Sequence, residues 1–79
     1  MRFSIASVDS LIIYFGETIS EENSSKVKKA YKSLKALNIE GLIEIIPSYT
    51  SIFISFDIFK YDYESLKILL ENSINLILL

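Results

Sequence analysis

With neither histidine nor cysteine among its 79 residues, the chain must do any chemistry with carboxylates, lysine, tyrosine or serine. Imidazole acid–base catalysis, thiolate nucleophiles, Cys/His zinc sites and disulfide frameworks are excluded together. Most of its ten Asp and Glu residues sit where a plain role suffices: Glu21 and Glu22 at a helix start, Asp62 as a cap, Glu64 in the turn after it. Asp9, in the dipeptide Asp9-Ser10, and Asp57 stand instead at strand ends, where sites are often built. A pair of carboxylates acts as acid and base only when the fold brings them within working distance. Aspartate also caps turns routinely, which accounts for both without catalysis. We therefore expect no catalytic residue, no metal ligand and no cofactor in this chain.

Binding motifs are equally sparse. Gly16 and Gly41 are the only glycines, alone and far apart, so no glycine-rich loop can cradle a phosphate. Lys26, Lys28, Lys29, Lys32 and Lys35 crowd one stretch and raise the question of RNA or an acidic partner. They also match the ordinary solvated side of an amphipathic helix, and no aromatics are interleaved with them on that face for base stacking. A net charge of −2 argues against binding to duplex DNA. No nucleic-acid partner is expected.

The elements that would position these residues follow from periodicity. Arg2 to Val8 alternates apolar with small or polar residues, the mark of a half-buried strand, and Asp9-Ser10 ends it with turn chemistry. Leu11 to Phe15 is a β-branched and aromatic run that Gly16 stops; apolar residues on both of its faces make it a central strand. From Ser20 the period changes. Val27, Ala30, Tyr31, Leu34 and Leu37 recur at three- and four-residue steps behind a Ser20 N-cap, with Asn38 and Gly41 as the stop. Leu42 to Ile46 is a third strand, Pro47-Ser48-Tyr49-Thr50 a connection, and Ser51 to Asp57 a fourth strand paired with the third as a hairpin. Asp62 caps a second helix carrying Leu66, Leu69, Leu70, Ser73, Ile74 and Ile77 on one face.

The order ββαββα predicts an α+β fold: a ferredoxin-like two-layer sandwich, with a four-stranded mostly antiparallel sheet and two helices on one face. The helix between the second and third strands makes a crossover, so those two strands should run parallel. At 79 residues there is room for a single domain, 1–79, and the 51% hydrophobic content is enough for a packed core. The first strand is too interrupted by polar residues for an export signal, and Leu66–Leu79 is too short and polar to span a bilayer. A soluble, cytoplasmic domain is expected. Leu76-Ile77-Leu78-Leu79 ends the sequence on four apolar residues. Either that helix packs fully or the chain is the front part of something longer, and we favour the latter.

Two helices cover one side of such a sheet and leave the other to solvent. The better apolar set goes inward: Leu11, Ile13 and Phe15; Ile43 and Ile45; Ile52, Ile54 and Phe56. The opposite side then carries Ile12, Tyr14, Leu42, Ile46 and Phe53, diluted by Glu44, Ser51 and Ser55. That much exposed apolar surface marks a docking surface unless loops or termini cover it.

Several segments together resemble one family. Asp9 through Gly16 looks like its opening "G-D-S/R-A-L-L-V-x-F-G", and Ile19-Ser20-Glu21-Glu22-Asn23 is similar to its "I-S-P-E-x-N" helix start. Gly41 through Ser51 is close to "G-V-x-E-V-V-P-A/S-Y-R/T-S", and Phe56-Asp57 sits where the family has "Y-D-P". The whole resembles the N-terminal domain of the KipI-like family, whose members are also labelled allophanate hydrolase subunit 1 or the equivalent 5-oxoprolinase component. Val8, Glu21 and Ile58 depart from the family's Gly, Pro and Pro at turns and leave the core pattern intact.

The resemblance implies a small domain placed ahead of a cyclophilin-like C-terminal domain, in a subunit that pairs with a KipA-like partner. With a LamB/YcsF-like third subunit, such assemblies open 5-oxoproline at the expense of ATP; one branch inhibits a sensor histidine kinase instead. This chain would then be a non-catalytic docking piece, inactive alone, with ATP needed only by the full complex. Asp9, Ser10, Tyr14, Pro47, Ser48, Tyr49, Ser51 and Phe53 are the expected interface or shared-motif residues. Turn and hairpin architecture is the plainer role for Asp9, Pro47, Tyr49 and Ser51.

Overall fold

In the computed structural model, which describes residues 1–78, the period-two segments become strands β1 (Arg2–Ser7), β2 (Ser10–Tyr14), β3 (Leu42–Pro47) and β4 (Ser51–Phe56). The two 3.6-period segments become helices α1 (Glu21–Leu37) and α2 (Tyr63–Leu78). The sheet order is β1-β2-β4-β3 and all three ladders are antiparallel. β2 and β3 both oppose β4, which lies between them, so they point the same way without being neighbours. That is the direction a crossover through α1 demands. The result is the expected α+β ferredoxin-like sandwich.

The core lies between the sheet and the helices. Leu11, Ile13, Ile52 and Ile54 meet Val27, Ala30 and Leu34 of α1 and Leu66, Leu70 and Ile74 of α2, all buried, with Phe15 and Phe56 closing the ends. Cross-strand partners Leu11, Ile54 and Ile45 form one row of this floor, and Ile13, Ile52 and Pro47 another.

One expected inward residue faces out. The β3–β4 register slips between Leu42 and Glu44, so Leu42 pairs with Phe56 and packs on the core while Ile43 is left 66% exposed. An extra residue in a bulge resets the alternation of everything before it, which strict period two cannot register. Leu42 therefore packs where strict alternation did not put it, and Ile43 is displaced to the exposed rim of the sheet beside α1. Leu37, expected on the buried stripe of α1, is exposed in its last turn.

Both helix starts are chemically specified. Ser20 Oγ accepts from the Asn23 N–H at 3.1 Å, with Glu21 and Glu22 in the first turn. At α2 the Asp62 carboxylate accepts from the Ser65 N–H at 2.8 Å while the Asp62 N–H donates to Ser65 Oγ at 3.2 Å, a reciprocal cap. The hydrogen bond from the Ser65 N–H, helped by the Ser65 hydroxyl, holds the Asp62 carboxyl below its ordinary value. A depressed carboxyl stabilises the fold above its unfolded-state value, about 4, and that contribution is lost as pH falls through the lower native value. Asp62→Asn keeps a cap without the titration, so its melting temperature should fall less between pH 5 and pH 2 than the parent's. Parallel pH profiles from thermal melts would contradict this origin of the shift.

The two sheet edges differ. β3 is blunted by its bulge, by Glu44 and by Pro47, which has no N–H to offer. β1 carries a single charge, Arg2, and its own irregularity falls at its end, between Ile5 and Ser7.

Candidate functional site

The side of the sheet away from the helices is organised in three cross-strand rows. In the middle row Ser4, Ile12, Phe53 and Ile46 stand side by side across all four strands. Ile12 and Phe53 are half-buried by their neighbours and Ile46 is 48% exposed. The row toward the chain's N-terminus holds Arg2, Tyr14 and Ser51, with the Arg2 guanidinium 4.2 Å above the Tyr14 ring centroid. Arg2 Nε also lies 3.8 Å from Glu17 Oε1, in a solvent-exposed pair.

The third row is polar: Ser7, Ser10, Ser55 and Glu44. Ser10 and Ser55 are buried, and each has a partner: Ser10 shares a 2.5 Å hydrogen bond with the Ser7 hydroxyl, and Ser55 Oγ donates to Glu44 Oε1 at 3.5 Å. Ser7 Oγ donates to the Asp9 carboxylate at 2.8 Å. The face thus grades from a cation–aromatic end through an apolar centre to a hydroxyl–carboxylate end. That is the make-up of an association surface with a polar rim.

The expected residues fall into two places. Ser10, Tyr14, Ser51 and Phe53 lie on this face, and Asp9 sits beside its polar row in the β1–β2 turn. Pro47, Ser48 and Tyr49 lie elsewhere. They form the β3–β4 turn, closed by the Ser48 N–H donating to the Ser51 carbonyl at 2.7 Å, and they border a cleft against α1. That open cleft, of about 410 Å³, is also lined by Ser24, Val27 and Lys28, which the motif comparison did not single out. Their signal was the helical spacing of Ser20, Ser24 and Lys28, which puts all three on one side of α1.

The strand-end aspartates come to one end of the sheet, since the Phe56 N–H donates to the Asp9 carbonyl at 2.9 Å. Asp57 uses its carboxylate in the turn that follows, accepting from the Phe59 N–H at 2.9 Å, and Asp9 receives the Ser7 hydroxyl. Both carboxylates have the turn partners that the plainer role predicts. Among the described residues no three acid, histidine or cysteine side chains gather as metal ligands would. No helix among them is long and apolar enough to cross a membrane.

Comparison with known proteins places this geometry. A family model for the "carboxyltransferase domain, subdomain C and D" matches residues 1–76. The crystal structure of PH0987, a conserved uncharacterized protein from Pyrococcus horikoshii, is similar with a TM-score of 0.88 and 27% identity, over 98% of this chain and 36% of that one. The N-terminal domain of the histidine kinase inhibitor KipI from Bacillus subtilis is similar with a TM-score of 0.79 and 26% identity, over 96% of this chain and 85% of that one. TTHA0988 matches over 82% of this chain and 13% of its own, with a TM-score of 0.71 and 25% identity. The chain therefore spans about a third of the length of PH0987 (36%). No curated protein matches it.

Proposed function

The chain belongs to the carboxyltransferase-domain family, subdomains C and D, and from that membership we propose that it is a docking domain of a KipI-like subunit. In this proposal the subunit pairs with a KipA-like partner in a cytoplasmic, ATP-dependent amide hydrolase of the 5-oxoprolinase or allophanate hydrolase type. A LamB/YcsF-like subunit would complete the assembly, and ATP would be used by the complex rather than held by this chain. The carrying observation is the Ile12–Phe53–Ile46 row, which crosses the side of the sheet away from the helices and leaves Ile46 48% exposed. Large apolar side chains at the centre of a face with polar ends suit burial against the subunit's own second domain or the partner.

Phe53→Glu places a charge at the middle of that row. In co-expression of the longer subunit with its KipA-like partner, we expect the variant to weaken the complex at least tenfold in co-purification and titration. The melting temperature of the 79-residue chain is the control, because the side chain points away from the core. Undiminished complex formation would remove this face as the interface.

A second function is supported by one specific observation, the likeness to the N-terminal domain of a histidine kinase inhibitor. Under it the same face would meet a sensor kinase. Two assays separate the proposals: ATP turnover with 5-oxoproline by the reconstituted subunits, and autophosphorylation of a sensor kinase titrated with the KipI-like subunit.

A further inference from the structure

We propose that the seam between α1 and β3 is a second docking groove, independent of the open sheet face, and that its occupant is an extended polypeptide segment alternating acidic with apolar residues. Two cavities lie along this one seam. The first, of about 410 Å³, is walled by Val27 and Lys28 of α1 and by Pro47 and Tyr49 across from them. The second, of about 220 Å³, is walled by Leu34 and Lys35 of α1 and by Ile43 and Ile45 of β3. The far lip exposes apolar side chains at both ends: Tyr49 is 67% exposed and Ile43, thrown outward by the bulge, 66%.

The near lip is cationic. Lys28, Lys32 and Lys35 follow one another at i, i+4 and i+7 on one side of α1. None of the three is in an ion pair among the described residues, whereas Lys26 is paired with Glu22 at 3.5 Å and Lys60 with Glu40 at 3.0 Å. The carboxylates of α1 are confined to its first turn, where Glu21 borders the far end of the seam. A lysine row that merely faced water would gain from interleaved acids four residues away, and this helix supplies one such pair, off the row. In a chain of net charge −2 this side is locally positive.

Spacing selects the occupant. Successive lysines of the row rise by about 4.5–6 Å along the helix axis. Alternate residues of an extended segment are about 6.6–6.8 Å apart and project to the same side. One set of alternate side chains can therefore meet the lysines while the other, apolar set enters the cavity between Val27 and Pro47. The bulge and Pro47 spoil β3 as a template for a continuous ladder, so side chains rather than main chain would supply the affinity. RNA fits less well, because Tyr49 is the one aromatic ring in either wall and stacking platforms are otherwise missing.

The test uses the 79-residue chain, labelled with nitrogen-15, and a capped seven-residue peptide alternating glutamate with valine. Expected shift changes gather on Lys28, Lys35, Ile43 and Tyr49, leave Ile12 and Phe53 unmoved, and fade with added salt. A peptide alternating lysine with valine should produce none. Lys28→Glu should raise Kd at least fivefold, and the Lys28→Glu/Lys32→Glu/Lys35→Glu triple variant should abolish binding. These exposed positions leave the core intact, which an unchanged spectrum away from the seam will verify. Absent shifts, shifts centred on the open sheet face, equal binding of the lysine–valine peptide, or an unaffected triple variant would each overturn the proposal. Tighter binding of oligouridylate than of the acidic peptide would overturn it in favour of a nucleic-acid surface.

Discussion

Ile54→Ala should melt about 10–40 °C below the parent chain. Ile54 is fully buried at the middle of β4, a central strand, where it stands between Leu11 and Ile45 beneath the helices. Truncating a buried isoleucine to alanine costs about 2–5 kcal/mol, part lost transfer energy and part cavity. β4 itself is held by ladders on both sides, so its backbone cannot collapse into the space. A domain of this length holds about 4–12 kcal/mol in all, so the loss takes a large share of the total. Ile46→Ala is the control: the side chain sits on the open face of the edge strand, so its loss should move the melting temperature by no more than a few degrees. Thermal melts followed by circular dichroism check both. A drop below about 5 °C for Ile54→Ala would mean that the core relaxes around the hole.

Gly41→Ala is expected to cost about 1–3 kcal/mol from backbone strain alone, and more from a collision. Gly41 has φ +95°, a conformation that side-chain-bearing residues rarely adopt. A Cβ built there would lie 2.6 Å from Tyr61 Cε2 and 2.8 Å from Lys60 Cδ. Neither neighbour is idle: the Tyr61 hydroxyl donates to the Glu40 carbonyl at 2.8 Å, Lys60 pairs with Glu40, and the Asp57 N–H donates to the Gly41 carbonyl at 2.8 Å. The turn entering β3 is thereby tied to the loop leading into α2. In a double-mutant cycle, Tyr61→Ala should recover the collision part of the loss in the Gly41→Ala background and leave the strain part. Full recovery would show that the positive φ costs nothing here. No recovery would show that the ring swings aside freely.

Much of this architecture was legible because local rules and tertiary packing agree. Leu11, Ile13 and Phe15 alternate without interruption in a strand that proves to be central, and Ile52, Ile54 and Phe56 do the same beside it. Ser20 and Asp62 announced their helices by chemistry that operates within a single turn. Ile12, Tyr14 and Phe53 could be assigned to the far side of the sheet because each lies between inward neighbours of an unbroken alternation. Leu42 and Ile43 could not be told apart, since a bulge is decided by how β3 fits β4 and not by the composition of β3. Pro47, Ser48 and Tyr49 were recognisable as a turn. Their position across a cleft from Ser24 and Lys28 depends on how α1 crosses back over the sheet, which is settled far away along the chain. The lysine row looked like an ordinary wet helix face for the same reason: its neighbours on β3 are remote in sequence.

The unguarded margin at β1 has a physical consequence of its own. Its main-chain donors and acceptors from Arg2 to Ile5 have partners on the β2 side only, and Ile5 beside them is 63% exposed. A strand with one charge at its tip, no proline and a greasy flank is poorly defended against sheet extension. Crowded solutions of this chain will therefore self-associate first along that line, one molecule's sheet continuing into the next. A lysine or glutamate introduced at Ser4 or Ile5 would be the economical means of keeping concentrated samples monomeric.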